Sequence, residues 1–147
     1  MASARKEITI DAPIDGVFEV ITDYEKYCDF LPEIKHAEIL SNSGDIAVVR
    51  FELEIVMRLS YVLELKQQSP HCLSWTLKQA KMMSSNEGSW TLKEDAHGGT
   101  HATYEVDVCL PGLIPKSVSD RLTGVTLPET LQRFKGRCEA LVSLARE

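Results

Sequence analysis

Chemistry in this chain would have to start from its cysteines, its histidines or the polar tips of its large aromatic residues. Cys28, Cys72, Cys109 and Cys138 lie far apart with no CxxC pair. The first ten residues carry no apolar region of the secretory kind, so the four read as buried thiols rather than disulfides. His97 and His101 flank a glycine turn. Two ligands are too few for a metal, and no Cys or carboxylate sits at a recognised zinc spacing, so they read as solvated loop side chains. No Ser/His/Asp arrangement, P-loop or dinucleotide fingerprint is visible. Neither a metal site, a cofactor nor a catalytic group is expected from these residues.

The aromatic residues offer more. Tyr61, Tyr104, Trp75 and Trp90 each combine a large apolar area with one polar tip. Such side chains either hold a ligand ring while an O–H or N–H fixes its head group, or form an ordinary aromatic core. Which of these they do depends on the elements that carry them.

Most of those elements are strands. From Ala47 to Leu65 the odd positions are all apolar, whereas the even positions include Arg50, Glu52, Glu54, Arg58, Ser60 and Glu64. This period-2 stripe has one dry face and one mostly wet face, where Arg50, Glu52, Glu54 and Glu64 read as cross-strand charge pairs. The run is too long for one strand and must reverse. A two-residue turn would swap the inward parity. The parity does not swap, so an odd-length loop is predicted, at Val56-Met57-Arg58. Further strands read from His71 to Lys78 (Leu73, Trp75, Leu77 inward), Glu87 to Lys93 (Gly88, Trp90, Leu92 inward) and His101 to Cys109 (Ala102, Tyr104, Val106, Val108 inward). Ser84-Ser85-Asn86 and Ala96-His97-Gly98-Gly99 mark turns between them. A first strand reads over Arg5 to Asp11.

Helical spacing brackets the strands. Asp11-Ala12-Pro13 starts a helix as a capping carboxylate followed by first-turn proline, with Ile14, Val17, Phe18 and Ile21 on one face. Asp23 caps a second short helix with Tyr24, Tyr27 and Leu31 buried, ended by Pro32. After Pro115 two stripes follow: Val118, Leu122 and Val125, then Leu131, Phe134, Cys138 and Leu141. The helix they predict runs to near Arg146, about 45 Å at ~1.5 Å per residue. Within it, Pro128 crowds the carbonyl of Gly124, predicting a kink or break there. Such a kink either opens a pocket mouth or lets the helix follow the sheet.

The chain has 147 residues, of which 44% are hydrophobic and 26% charged, and a net charge of −6. That suits one globular α+β domain over residues 1–147 and argues against a direct nucleic-acid footprint, which needs a basic patch. No apolar run approaches the ~18 residues of a membrane helix, and a cytoplasmic address is expected. Consecutive strands form an antiparallel meander whose apolar face the terminal helix must cover. The wedge between a twisted sheet and one helix is a natural cavity, typically of about 300–1,000 Å³. Phe51, Leu53, Tyr61, Leu63, Trp75, Leu77, Trp90, Tyr104, Val106, Leu122 and Val125 are its expected ligand-binding lining. The same residues would otherwise fill a solid core.

The string from Val17 to Pro32, VFEVITDYEKYCDFLP, resembles the opening of the START-like, polyketide cyclase/dehydrase superfamily, closest to its coenzyme Q-binding and ribosome-association toxin branch. Gly88-Ser89-Trp90 and Gly99-Thr100 sit where such proteins carry similar residues. The resemblance covers essentially the whole chain. It implies a helix-grip fold of about seven strands, in the order one strand, two helices, six strands, one long helix. It also implies a hydrophobic tunnel for lipids, quinones, sterols or polyketides. The expected function is therefore binding or transport of a hydrophobic small molecule. The alternatives are a bacterial-type polyketide cyclase/dehydratase and a ribosome- or protein-interaction module. The inward strand positions hold no Asp, Glu, His, Lys or Arg, which disfavours an enzyme and leaves helix and loop residues as the source of any base.

Overall fold

The computed structural model describes residues 2–55, 57–112 and 114–145. Seven antiparallel strands form one sheet in the order β1-β7-β6-β5-β4-β3-β2. They are β1 (Ala2–Ile10), β2 (Ile34–Ser43), β3 (Ile46–Ile55), β4 (Met57–Gln68), β5 (Cys72–Ala80), β6 (Ser85–Glu94) and β7 (Thr100–Cys109). Between β1 and β2 lie helix α1 (Ile14–Thr22) and a 3₁₀ turn (Tyr24–Asp29). After β7, α2 (Lys116–Arg121), a π-helical turn (Leu122–Thr126) and α3 (Leu127–Ala145) follow without a break. The helix-grip architecture implied by the resemblance is the observed one.

The parity argument across the β3–β4 reversal holds. Phe51 faces Tyr61, Leu53 faces Leu59 and Val49 faces Leu63, so odd residues pair with odd residues throughout. The reversal is tighter than expected: Ile55 already pairs with Met57, and Arg58 faces Glu54 inside the ladder. Met57 and Arg58 are therefore strand residues, and Val56 lies outside the described residues. On the wet face Arg50 meets Glu38 at 3.6 Å and Lys35 meets Glu54 at 3.9 Å. Such exposed pairs contribute little to stability. Glu52 and Glu64 have no ion-pair partner among the described residues.

Local chemistry departs from the sequence reading at several element ends. Pro13 itself is the N-cap of α1 and no side chain caps it, so Asp11 is not a capping carboxylate. Its backbone N–H instead donates to Glu139 on α3 at 2.8 Å. Asp23 is the N-cap of the next turn, as expected, but caps it through its backbone carbonyl rather than its side chain. That turn is 3₁₀ and ends before Leu31. Ser85 and Asn86 belong to β6, so the β5–β6 connection is residues 81–84. Leu141 is 40% exposed, and its neighbour Val142 packs against the core instead. The expected helix end at Arg146 lies outside the described residues. Of the cysteines only Cys138 is buried; Cys28 is exposed, and Cys72 and Cys109 are partly so.

The terminal helix is held at one corner by polar contacts and elsewhere by packing. Lys135 donates from Nζ to Glu139 at 2.6 Å and to the Thr9 carbonyl at 3.0 Å. Its hydrogen bond, with that of the Asp11 N–H, holds the Glu139 carboxyl below its ordinary range. Thr100, fully buried, donates from its hydroxyl to the Ala12 carbonyl at 2.8 Å. These bonds fix β1, the turn that follows it, β7 and α3 to one another. No helix among the described residues is long and apolar enough to cross a membrane.

The β5–β6 ladder is short, running from Cys72↔Thr91 only to Trp75↔Gly88. At Gly88 the indole of Trp75 lies over the backbone. A Cβ there would meet Trp75 Cζ2 at 2.6 Å and clash with the Glu105 carbonyl. Gly88→Ala is therefore expected to lower stability by about 1–3 kcal/mol. Gly136→Ala, in open space on α3, is expected to raise it by about 0.4–1 kcal/mol. Urea denaturation of the two variants checks both signs.

Candidate functional site

A cavity of about 130 Å³ lies between the inner face of the sheet and the terminal helix. Its walls follow from strand alternation. Phe51 and Leu53 come from β3, Tyr61, Leu63 and Leu65 from β4, Leu73 and Trp75 from β5, Trp90 from β6, and Tyr104, Val106 and Val108 from β7. The 3₁₀ turn and its exit contribute Tyr27, Leu31, Glu33 and Ile34. The roof is Leu122, Thr126, Leu127, Thr130 and Phe134. Met83 and Asn86 close the side where β5 and β6 part.

Leu77 and Val125, expected in the lining, are not on this wall. Leu77 shares the inward parity of Leu73 and Trp75, but it lies beyond the last β5–β6 pair. A register shift between Val62 and Leu63 also displaces it along β4. It lines instead a separate, more polar groove between the parted strands. Val125 is 40% exposed because the π turn carries about one extra residue, rotating position i+3 outward and i+4 inward. The Leu127 N–H bonds the Leu122 carbonyl five residues back. Thr126, not Val125, thus lies beside Leu122 on the cavity wall. The feature expected at Gly124–Pro128 is this π turn, which absorbs the backbone mismatch that Pro128 would impose on α geometry.

The cavity is smaller than the expected range because aromatic rings prop the wedge from several sides. Phe134 reaches down from α3 to meet Tyr27, Phe30 and Trp90 edge-on at 5.2, 5.1 and 5.3 Å between ring centroids. Tyr27 stacks on Phe51 at 5.8 Å, Phe51 lies 5.7 Å from Tyr61, and Tyr104 bridges Trp75 and Trp90 at 5.7 and 4.9 Å. The remaining space is close to that of an engineered apolar cavity that admits benzene. It accepts about one ring, and a larger guest must displace a side chain or extend through the mouth.

Polar tips are few in this apolar wall. Trp75 donates from Nε1 to Asn86 Oδ1 at 3.1 Å, and the Tyr27 hydroxyl donates to the Ile21 carbonyl. The hydroxyls of Tyr61 and Tyr104 make no hydrogen bond among the described residues. Burial raises the pKa values of Tyr27, Tyr61 and Tyr104; neighbouring Tyr24, Tyr104 and Tyr61 raise that of Tyr27 further, and Tyr61 raises that of Tyr104. These are neutral donors over the whole physiological range. Glu33, from the turn before β2, also reaches the wall. Strand periodicity gave no signal for it, since it lies outside any alternating run. His97 and His101 are not on this wall: the His97 N–H donates to Asp95 in the turn, and His101 approaches Glu7 at 3.4 Å on the surface. No group of three or more metal-ligating side chains occurs among the described residues.

Comparison with known proteins agrees with this geometry. A family model described as polyketide cyclase / dehydrase and lipid transport matches residues 1–145. Among solved structures, a START superfamily protein from Mycobacterium smegmatis superposes with a TM-score of 0.84. It is 21% identical, and the match covers 96% of this chain and 99% of that one. The Zhui aromatase/cyclase from Streptomyces sp. R1128 gives 0.79 at 18% identity, covering 95% and 94%. A STAR-related lipid transfer protein from Xanthomonas axonopodis gives 0.75 at 17%, covering 92% and 85%. At these identities the structural likeness establishes the fold alone. No curated protein matches the sequence. The family match is to the family as a whole and singles out no quinone-binding or ribosome-associated branch.

The buried tyrosines make a pH prediction. Tyr24 is raised by burial as well, so all four tyrosines of the chain resist ionisation in the folded state. Above about pH 10 the unfolded chain releases phenolic protons that the native state keeps. Stability is therefore fully present below that pH and falls as pH rises beyond it. Absorbance titration at 295 nm should show no tyrosinate in the folded protein near pH 10, then a cooperative rise that coincides with loss of circular dichroism.

Proposed function

The chain belongs to the polyketide cyclase/dehydrase and lipid transport family, and on that premise we propose that it binds or carries a hydrophobic small molecule in the cavity between sheet and helix. The observation that carries this reading is the apolar space itself, lined from both sheet and helix and bordered by rings that meet edge-on at Phe134. Burial of apolar ligand surface supplies the driving force, at roughly 25 cal/mol per Å². The free hydroxyls of Tyr61 and Tyr104 set orientation by donating hydrogen bonds to an acceptor on the ligand.

A cyclase or dehydratase reading has one observation in its favour. The same two hydroxyls would stabilise an enolate oxygen, and they stand in a water-poor site where such donation is strongest. Among the described residues no Lys, Arg or His lines the cavity to add positive charge, so simple binding is the stronger reading. Turnover of a polyketide-like substrate, lost in Tyr61→Phe or Tyr104→Phe without loss of stability, would reverse that order.

Native mass spectrometry of gently purified protein is expected to reveal a co-purified apolar molecule. An apolar fluorescent probe such as N-phenyl-1-naphthylamine should bind the emptied protein. Val106→Phe, which fills the space from β7, should weaken that binding at least tenfold while leaving the circular dichroism spectrum unchanged. A protein that is always empty and takes up no probe would sink the proposal.

A further inference from the structure

One carboxylate oxygen on the cavity wall is both sealed from solvent and left without a partner by the fold. Glu33 Oε2 is sealed from solvent and receives no hydrogen bond, and it is the one buried side-chain polar atom so placed among the described residues. Glu33 as a whole is half-buried, and its backbone is held in place. The Glu33 carbonyl accepts the Glu54 N–H at 2.8 Å, pinning the turn to the end of β3, and Ile34 pairs with Leu53 immediately afterwards. Leu31 and Ile34 on either side line the same wall. A buried acceptor without a donor is destabilising, because it has lost water and gained nothing in exchange. Among the described residues the cavity wall offers it no Lys, Arg or His.

We infer that Glu33 is the specificity-determining acceptor for a hydroxyl group on the ligand. The inference rests on the binding reading above and narrows it to a chemical class: an apolar ring or chain molecule that carries an alcohol, phenol or enol. Such a molecule donates to Glu33 Oε2, and its own oxygen, or another on the same skeleton, can accept from Tyr61 or Tyr104. A molecule with acceptors only, such as an ester or a fully oxidised quinone, satisfies the tyrosines and leaves Glu33 bare. An anionic head group without a proton to give brings a further acceptor to the same place. Donor-bearing ligands are thus selected by the group that apolar burial alone would penalise.

Matched probes of one-ring size separate these cases. The full-length protein is titrated with p-cresol and with 4-methylanisole, which differ in the hydroxyl proton, and binding is followed by protein-observed NMR. p-Cresol is expected to bind at least tenfold more tightly, with nuclear Overhauser contacts from its ring protons beside the hydroxyl to the Glu33 side chain. Glu33→Met is expected to bring the ratio close to one, with 4-methylanisole affinity retained and the melting temperature unchanged or higher. Equal affinities in the wild type, a hydroxyl end turned away from Glu33, or a ratio that survives the substitution would each overturn the inference while leaving the cavity reading intact. Failure of both probes to bind the wild type would defeat the cavity reading, and this inference with it. The wild-type ratio and contacts decide the matter even where Glu33→Met does not fold.

Discussion

The structure depends on Phe134. One side chain from the terminal helix touches the 3₁₀ turn through Tyr27 and Phe30 and the far side of the sheet through Trp90. It is 4% exposed. Losing a buried phenylalanine side chain typically costs about 3–5 kcal/mol, a large share of the 5–15 kcal/mol that holds a domain together. The geometry of its contacts matters as much as the area. Rings that meet edge-on hold their neighbours apart by a fixed spacing and leave gaps that flexible aliphatic chains would fill. The helix is both attached to the sheet and kept away from it by the same residue.

Much of this arrangement was legible in the residues. The long alternating run from Ala47 to Leu65 implied both the inward face and the odd-length reversal, and the observed ladder keeps that parity. The inward positions on β3, β4, β6 and β7 followed from period two alone. Strand β2 was not legible in this way. Register shifts between Ile34 and His36 and between Ile39 and Ser41 break its alternation, so only the resemblance to a known order implied a strand there.

The errors at the site share a cause: each lies where the backbone leaves its regular period. Leu77 sits past a ladder that ends early, and Val125 sits inside a π turn that shifts the inward position to Thr126. Glu33 lies in an irregular turn, where no periodicity exists to say which way a side chain faces. A glutamate after a proline reads as solvated, yet Glu33 lies with Leu31 and Ile34 on the wall. Pattern reading thus found the apolar wall and missed the one carboxyl group on it.

The irregularities of β2 also bear on how copies of this molecule meet one another. The sheet is open, with β1 and β2 as its outer strands. A straight, greasy margin there would be a template onto which a neighbouring polypeptide could add its own strand. Because β2 is doubly bulged and carries Lys35, His36 and Glu38, its free backbone groups fall out of step with any regular partner, and its charges resist desolvation. That margin discourages strand-by-strand addition of a second copy, the contact that an open sheet with an apolar inner face would otherwise invite.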